Sequence, residues 1–398
     1  MESIRDKVAI IGMSCTQFGE NWNKSLDDMV IEAAYQAFED ARIKRQDIQA
    51  AWVGTSTSGQ TGACLSVPLQ LQNIPVTRVE NACSTGTEAL RGACYALIAK
   101  AYDIVLALGV EKLKDSGLSG LPNLSSPVGA IGVFHPVIGA THTAPGNYAL
   151  AATRYFHQYY VSPEEGRKTL AKIAVKNHKN GSLHPKAHFR KAISLEQVLN
   201  APPIAWPLGL FDCCPTTDGC AAAVLVRAED AKRFRDDPVL IKGLGVSCGP
   251  GTGRVRTDYD YLHITETVEA GKQAYEQAGI TEPFKQLDMA VVHDCFTITE
   301  LLIYEDLGFC PRGTAKERID AGTFALEGEL PVNSDGGLKS FGHPIGASGL
   351  RMIYEVYRQI QGRAELPQRQ LKNVNIGLTH NIGGGPGAGV CAVGIFGR

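Results

Sequence analysis

"EAAYQAFEDARI" at residues 32–43 and "EAGKQAYEQAGI" at 269–280 agree at seven of twelve positions. Both stretches are rich in alanine and carry apolar residues at helical spacing. Their surroundings agree as well. "KVAIIGMSCTQFG" (7–19) precedes the first and "IQAAWVGTSTSG" (48–59) follows it, each read as a strand running into a loop. "PVLIKGLGVSCGPGTG" (238–253) and "LDMAVVHDCFT" (287–297) flank the second in the same order. A small gap in the alignment brings Gly54 opposite His293.

The correspondence continues outward. "VTRVENACSTGTEALRGACYALI" (76–98) has the layout of "GELPVNSDGGLKSFGHPIGASGLRMIYEVY" (328–357): a short strand, a Gly/Ser turn and a helix. "YDIVLALGVEK" (102–112) then answers to "KNVNIGLTHNIGGG" (372–385). The repeat is about 240 residues long, too long for a solenoid, so it is read as a duplicated α/β unit. Residues 115–211 fit neither copy. They hold turn-rich sequence (116–132), an amphipathic helix (147–160) and a basic stretch (171–194), and are read as an inserted cap. Strand pattern returns in "FDCCPTTDGCAAAVLVRAEDAKRF" (211–234) and completes the first half. The division expected is 1–114 with 212–237, the insert 115–211, and 238–398.

Composition narrows the function. The 398 residues carry a formal charge of −2 and no long charge run, which argues against a nucleic-acid partner. No apolar stretch approaches the roughly 20 residues of a membrane helix. "MESIRDKVAIIG" enters a strand without the shape of a signal peptide. Eleven scattered cysteines do not form a disulfide framework, so a reducing cytoplasm is expected.

Four segments at predicted strand ends carry chemistry, where open α/β sheets place their ligands. Cys83 in "NACSTG" stands at a strand-to-helix turn, where helix N–H groups and dipole favour a thiolate. His343 in "GLKSFGHPIGASGL" holds the mirror position in the second half, and an imidazole there can take a thiol proton. His293 and Cys295 in "VVHDCFT" follow a strand. "HNIGGGPGAG" (380–389) is a glycine nest whose amides suit an oxyanion. Each has a plain alternative: a core cysteine, a capping histidine, a strand-end turn, a close-packed strand. Their joint placement favours the chemical reading. His178, His184 and His188, or Cys213, Cys214 and Cys220, could be read as metal ligands, but no supporting ligand pattern accompanies them; no metal or cofactor is expected.

With "NACSTG", "HDCF", "GHPIGASG" and "NIGGGPGAG", and with "VKNHKN" and "DCCPTTDGCAAAVL" in support, the chain resembles the thiolase superfamily over essentially its full length. HDCF is similar to the sterol-carrier-protein-2-type thiolases and their bacterial and archaeal relatives. The resemblance implies an α/β thiolase fold: two βαβαβαββ halves layered α-β-α-β-α, with an inserted loop domain. It implies a cysteine acyl-enzyme formed on Cys83, with His343 as its base. His293 would stand at an oxyanion hole, and the amides of Cys83 and Gly383 would form another. Better-known thiolases carry a second catalytic cysteine where this chain has Asn381; Cys295 is expected to supply that thiol, and Cys391 in "GVCAVGIFG" to lie in a core strand.

The activity implied is cleavage of a 3-oxoacyl-CoA by CoA, with CoA as substrate rather than resident cofactor. A Claisen-condensing synthase of the same fold and a non-catalytic subunit are the alternatives. "GAIGVFHPVIGATHTAPGNYAL" (129–150) lacks the Met-Gly turn common in short-chain thiolases, which leans toward a bulky acyl group such as 2-benzoylsuccinyl-CoA of anaerobic toluene breakdown. Lys176, Lys179, Lys186 and Arg190, beside Lys172 and Lys191, are the expected CoA-phosphate residues. A homodimer, and a small zinc-containing OB-fold partner, are also implied.

Overall fold

A computed structural model describes residues 3–116, 143–255 and 259–398. The turn-rich part of the insert, and most of the segment without a Met-Gly turn, lie outside the described residues. The strands are β1 (Val8–Cys15), β2 (Ala50–Gly54), β3 (Val76–Val79), β4 (Ile104–Glu111), β5 (Pro203–Ala205), β6 (Leu208–Gly209), β7 (Gly219–Arg227), β8 (Val239–Cys248), β9 (Met289–Val291), β10 (Ile376–Gly383) and β11 (Val390–Gly397). The helices are α1 (Leu26–Ala41), α2 (Ala63–Leu69), α3 (Thr85–Ile98), α4 (Ala144–Gln158), α5 (Pro163–Ser182), α6 (Leu195–Leu199), α7 (Thr252–Val255), α8 (Thr265–Ala278), α9 (Pro283–Gln286), α10 (Thr297–Asp306), α11 (Ala315–Asp320), α12 (Gly337–Phe341) and α13 (Ile345–Ile360).

The strands run β3-β2-β4-β7-β1-β8-β11-β10-β9. Read from the middle outward, β1-β7-β4-β2-β3 is answered by β8-β11-β10-β9. A lone parallel bridge between Ala290 and Val332 stands where β3 has its counterpart. The two sets meet through only two residue pairs, Ala9 with Leu240 and Ile10 with Val239. Continuous apolar runs such as β1, buried at every position, are those of strands covered on both faces.

Helices cover the outer faces in the same way in both halves. α1 lies on β1 and β7, and α8 on β8 and β11. Gly12 brings β1 against α1, since a Cβ there would stand 2.5 Å from Ala37 O. Gly245 does the same for α8, at 2.0 Å from Ala270 O. α3 packs on β2, β4, β7 and β11, while α13 packs on β1, β4, β7, β9 and β10. Helices touching strands of both halves form a shared middle layer. α13 is buried almost all round, as that position requires.

The middle layer sets the site. α3 and α13 cross on glycine. A Cβ on Gly86 would lie 2.9 Å from Gly346 O and from Leu350 N, and one on Gly349 would lie 2.5 Å from Thr87 N. The backbones therefore touch at their first turns. Cys83 precedes Gly86 by three residues, and His343 precedes Gly346 by three.

Candidate active site

The helix crossing brings Cys83 and His343 together from opposite halves, with Sγ 3.1 Å from Nε2. Ala82, just before the thiol, is held at φ 47°, a left-handed conformation that costs an alanine strain. His343 is fully buried, and its Nδ1 lies 2.8 Å from Ser348 Oγ. Ser348 donates its single hydroxyl proton to Pro344 O at 2.9 Å. Its oxygen must then accept from Nδ1–H, which assigns the lone pair to Nε2, facing the thiol.

His293 stands across from this pair. Its ring is 5.2 Å from that of His343 and nearly perpendicular to it. One ring nitrogen lies within 4.8 Å of both Cys83 Sγ and a His343 nitrogen. Burial drives the His293 pKa well below its ordinary value, with His343 adding to the effect. Burial likewise pushes His343 down to about 3, helped by Arg351. The Cys83 thiol goes the other way, up to about 12, through burial and then the Glu80 carboxylate. Desolvation at Cys83 thus opposes the pull of the helix terminus on the thiol proton.

Cys295 is buried, with Sγ 3.7 Å from Thr299 Oγ1. Burial raises its pKa well above the ordinary value, and charges on Cys214 and Cys83 would raise it further. Cys214 was not singled out as catalytic by sequence; its amide donates to Cys295 O at 2.9 Å, which fixes the Cys295 loop against the end of the insert. Gly383 ends β10 against the nucleophile, where a Cβ would lie 2.6 Å from Cys83 N. Any side chain there would collide with the Ala82–Cys83 backbone.

Asn381 faces away from this chemistry. It accepts from Thr87 Oγ1 at 3.0 Å and lies beside Met352 Sδ at 3.0 Å, between the two middle helices. Cys391 is in the core, 3.2 Å from His380 Nε2 and 3.7 Å from Thr267 Oγ1, as expected of a core strand. Ser348 and Asp294 were missed by sequence reasoning. Ser348 was findable, because a hydroxyl in the first turn after "GHP" falls beside the preceding imidazole.

Two of the four phosphate residues are corrected. Lys176 Nζ donates to Glu300 at 2.6 Å and to Val332 O at 2.7 Å in the interior. Lys186 Nζ donates to Cys15 O at 2.5 Å and sits over the Tyr354 ring. Each amphipathic stem carries its charge inward to a fixed acceptor, so neither belongs to a cationic surface. Lys172 pairs with Asp320, and Lys179 is exposed 3.7 Å from Glu327. Arg190 is exposed at the rim of a cleft of about 580 Å³ lined by His178, His188, Phe189, Lys191, Ile193 and Phe211.

Among the described residues, two groups have metal-ligand geometry. Cys83, His293 and His343 form one; His184, Glu355 and Glu365 form the other. Arg369 occupies the second, bonded to Glu355 at 2.7 Å and Glu365 at 3.1 Å. That is the arrangement of an ion-pair network. His178 and His188 join neither group, nor do Cys213, Cys214 and Cys220.

A family model described as "Thiolase, N-terminal domain" matches residues 8–200, and one described as "Thiolase C-terminal domain-like" matches 252–393. The chain is 38% identical to an acetyl-CoA acetyltransferase of Methanothermobacter thermautotrophicus, over 98% of this chain and 99% of that one. The chain belongs to the thiolase superfamily. It is thus a member of a family of acyltransferases. It is also 34% identical to the benzoylsuccinyl-CoA thiolase subunit BbsB of Thauera aromatica, over 95% of each chain. Among solved structures it is similar to a chain of the "Ltp2-ChsH2(DUF35) aldolase", with a TM-score of 0.85, 26% identity, and coverage of 100% of this chain and 99% of that one. No helix of the described residues is long and apolar enough to cross a membrane.

Proposed function

We propose that this thiolase-family chain cleaves a 3-oxoacyl-CoA with CoA through an acyl-enzyme on Cys83. The 3.1 Å contact between Cys83 Sγ and an unprotonated His343 Nε2 carries the reading. As Sγ bonds to C3 of the substrate, its proton passes to Nε2. The C2–C3 bond breaks, its electrons go to C2, and Cys295 protonates that carbon. The Cys295 thiolate then deprotonates CoA, whose sulfur attacks the acyl group. Cys83 departs and recovers its proton from His343. The Cys83 and Gly383 amides receive the oxyanion on the acyl carbon, and His293 with His343 faces the thioester oxygen. Removing one such donor typically costs about 2.7–4 kcal/mol.

The cleft beside the insert suits the nucleotide end of CoA: Arg190 and Lys191 offer cations, and Phe189 and Phe211 offer apolar faces. Its wall leads to the catalytic turn, since His188 and Phe189 donate backbone N–H groups to Phe341 O and Ser340 O. Lys191 and Arg190 thus take the role expected of Lys176 and Lys186. We take the insert, 115–211, to be the CoA-binding unit set between halves 1–114 with 212–237 and 238–398. Both an acetoacetyl group and a bulky aryl acyl group remain candidate substrates, in line with the archaeal and Thauera relatives. β3 is the terminal strand of the sheet and leads into Cys83, so we propose that two copies pair along it. The similar aldolase is named as Ltp2 together with ChsH2(DUF35), which supports a small partner subunit here too. All eleven cysteines are free thiols, which fits the cytoplasm.

The test is CoA-dependent loss of the Mg²⁺–enolate absorbance of acetoacetyl-CoA and of a panel of larger 3-oxoacyl-CoAs, with the chain alone and with any co-purifying small subunit. Mass spectrometry should find the acyl group on Cys83. That same solved structure keeps an aldolase reading in play: a retro-aldol cleavage would leave Cys83 unacylated, and cleavage without a Cys83 adduct would replace our proposal.

A further inference from the structure

Asp294 lies between His293 and Cys295 and has no role in the chemistry proposed above. It is fully buried, and three N–H groups converge on its carboxylate. Leu338 N donates at 2.5 Å, Lys339 N at 3.1 Å and Asn177 Nδ2 at 2.7 Å. The first two open α12, the one-turn helix that leads through Gly342 into His343. The backbone is shaped round this carboxylate: Gly337 holds φ +61°, and a Cβ on it would lie 2.3 Å from an Asp294 oxygen.

The third donor comes from the insert. Asn177 also donates to Glu300 at 2.6 Å, and Glu300 accepts from Lys176 at 2.6 Å, from Asn333 at 3.0 Å and from Tyr304. Asn333 in turn accepts from Val292 N, one residue before His293, at 2.8 Å. The His293 loop is therefore pinned on both sides of the histidine. One pin is tied to the His343 turn, and both are tied to α5 of the insert.

We propose that Asp294 is a positioning residue that registers the His343 turn against His293 and Cys295, with Asn177 bridging it to the Glu300 network. The inference rests on the catalytic roles proposed for those three residues. Asp294→Asn keeps the shape but presents one acceptor oxygen where three donors converge. A misplacement of about 1 Å costs on the order of 10²-fold in rate.

The experiment compares Asp294→Asn, Asn177→Ala and wild type in three readouts: kcat and KM for CoA in acetoacetyl-CoA thiolysis, the pH profile of iodoacetamide alkylation at Cys83 by peptide mapping, and Tm. The expected result for Asp294→Asn is a kcat loss of about 10- to 100-fold with KM for CoA within about twofold. Its Cys83 alkylation profile should also be displaced from that of wild type, as Nε2 leaves the thiol. Asn177→Ala should show the same pattern more weakly. Wild-type kcat per folded molecule and an unmoved alkylation profile in both variants, whatever the Tm, overturn the proposal. Alkylation needs no turnover, so an inactive wild type would defeat the functional reading while the profile still decides the role of Asp294.

Discussion

Gly86→Ala tests whether the helix crossing sets the Cys83–His343 distance. The new methyl would stand 2.9 Å from Gly346 O and Leu350 N and 3.1 Å from Gly349 N. All three are backbone atoms of α13 or its first turn and cannot rotate aside. Ordinary contact needs about 3.5 Å, so α3 and α13 must part by roughly half an ångström. Overpacking of this kind costs about 1–3 kcal/mol, which should lower Tm by a few degrees. Cys83 and His343 each lie three residues from the touching glycines, so their 3.1 Å contact must lengthen by a similar amount. With about 10²-fold lost per ångström of misplacement, thiolysis should fall about tenfold or more. Initial rates with acetoacetyl-CoA and Cys83 alkylation rates measure the effect. Gly19→Ala is the control, because nothing lies within 4 Å of a Cβ there, and it should match wild type in both. A Gly86→Ala protein that folds and turns over within twofold of wild type would falsify the claim that this crossing sets the dyad.

Cys295→Ala should still acylate Cys83 but turn over at least about a hundredfold more slowly, whereas Cys391→Ala should lose stability and little rate; the reverse pattern in stopped-flow and steady-state assays would move the second thiol to β11. Burial holds His178, His343 and His380 at about 3, below their unfolded value of about 6.5, so the unfolded chain binds more protons between those limits. Stability should therefore fall as pH drops from about 6.5 toward 3, by up to about 1.4 kcal/mol per pH unit for each histidine, and denaturant midpoints unchanged from pH 7 to 4 would contradict their burial. Zinc should inhibit reversibly by drawing Cys83, His293 and His343 onto one ion, with EDTA restoring the rate; activity indifferent to micromolar Zn²⁺ would mean that the three do not converge. Arg190→Ala and Lys191→Ala should raise KM for CoA severalfold without lowering kcat, while Lys176→Ala should lower Tm instead.

The repeat made the architecture legible, because the two copies keep seven of twelve residues across one helix and the same order of strands, turns and helices around it. The pairing of the two residues proposed for the chemistry was legible for a related reason. Cys83 and His343 hold the same place in the two halves, so the duplication itself announced that they would meet. The lysines were not legible. A lysine written into a basic stretch looks the same whether its stem runs outward, as at Lys179, or inward to Glu300, as at Lys176; only the packing of α5 on α10 separates the two. The desolvation that opposes the helix terminus at Cys83 was not legible either, because it is assembled from segments far apart in the chain.

Desolvation at Cys83 bears on where reactivity arises. A thiolate kept ready at a helix terminus would meet any electrophile that reached it. Here desolvation raises the Cys83 thiol pKa while the His343 lone pair faces it, so an arriving charge acceptor favours the transfer. Under the proposed mechanism that is the acyl-CoA itself: its carbonyl oxygen, on entering between the Cys83 and Gly383 amides, creates the charge those amides are set to receive. Proton transfer and carbon attack are then favoured together and neither alone. The residues that matter most for this (Cys83, Gly86, His293, Asp294, Cys295, His343, Ser348 and Gly383) come from both halves. The duplicated fold is therefore the means by which the acceptor and the donor of one proton are held at hydrogen-bond distance, since a single half supplies only one of them.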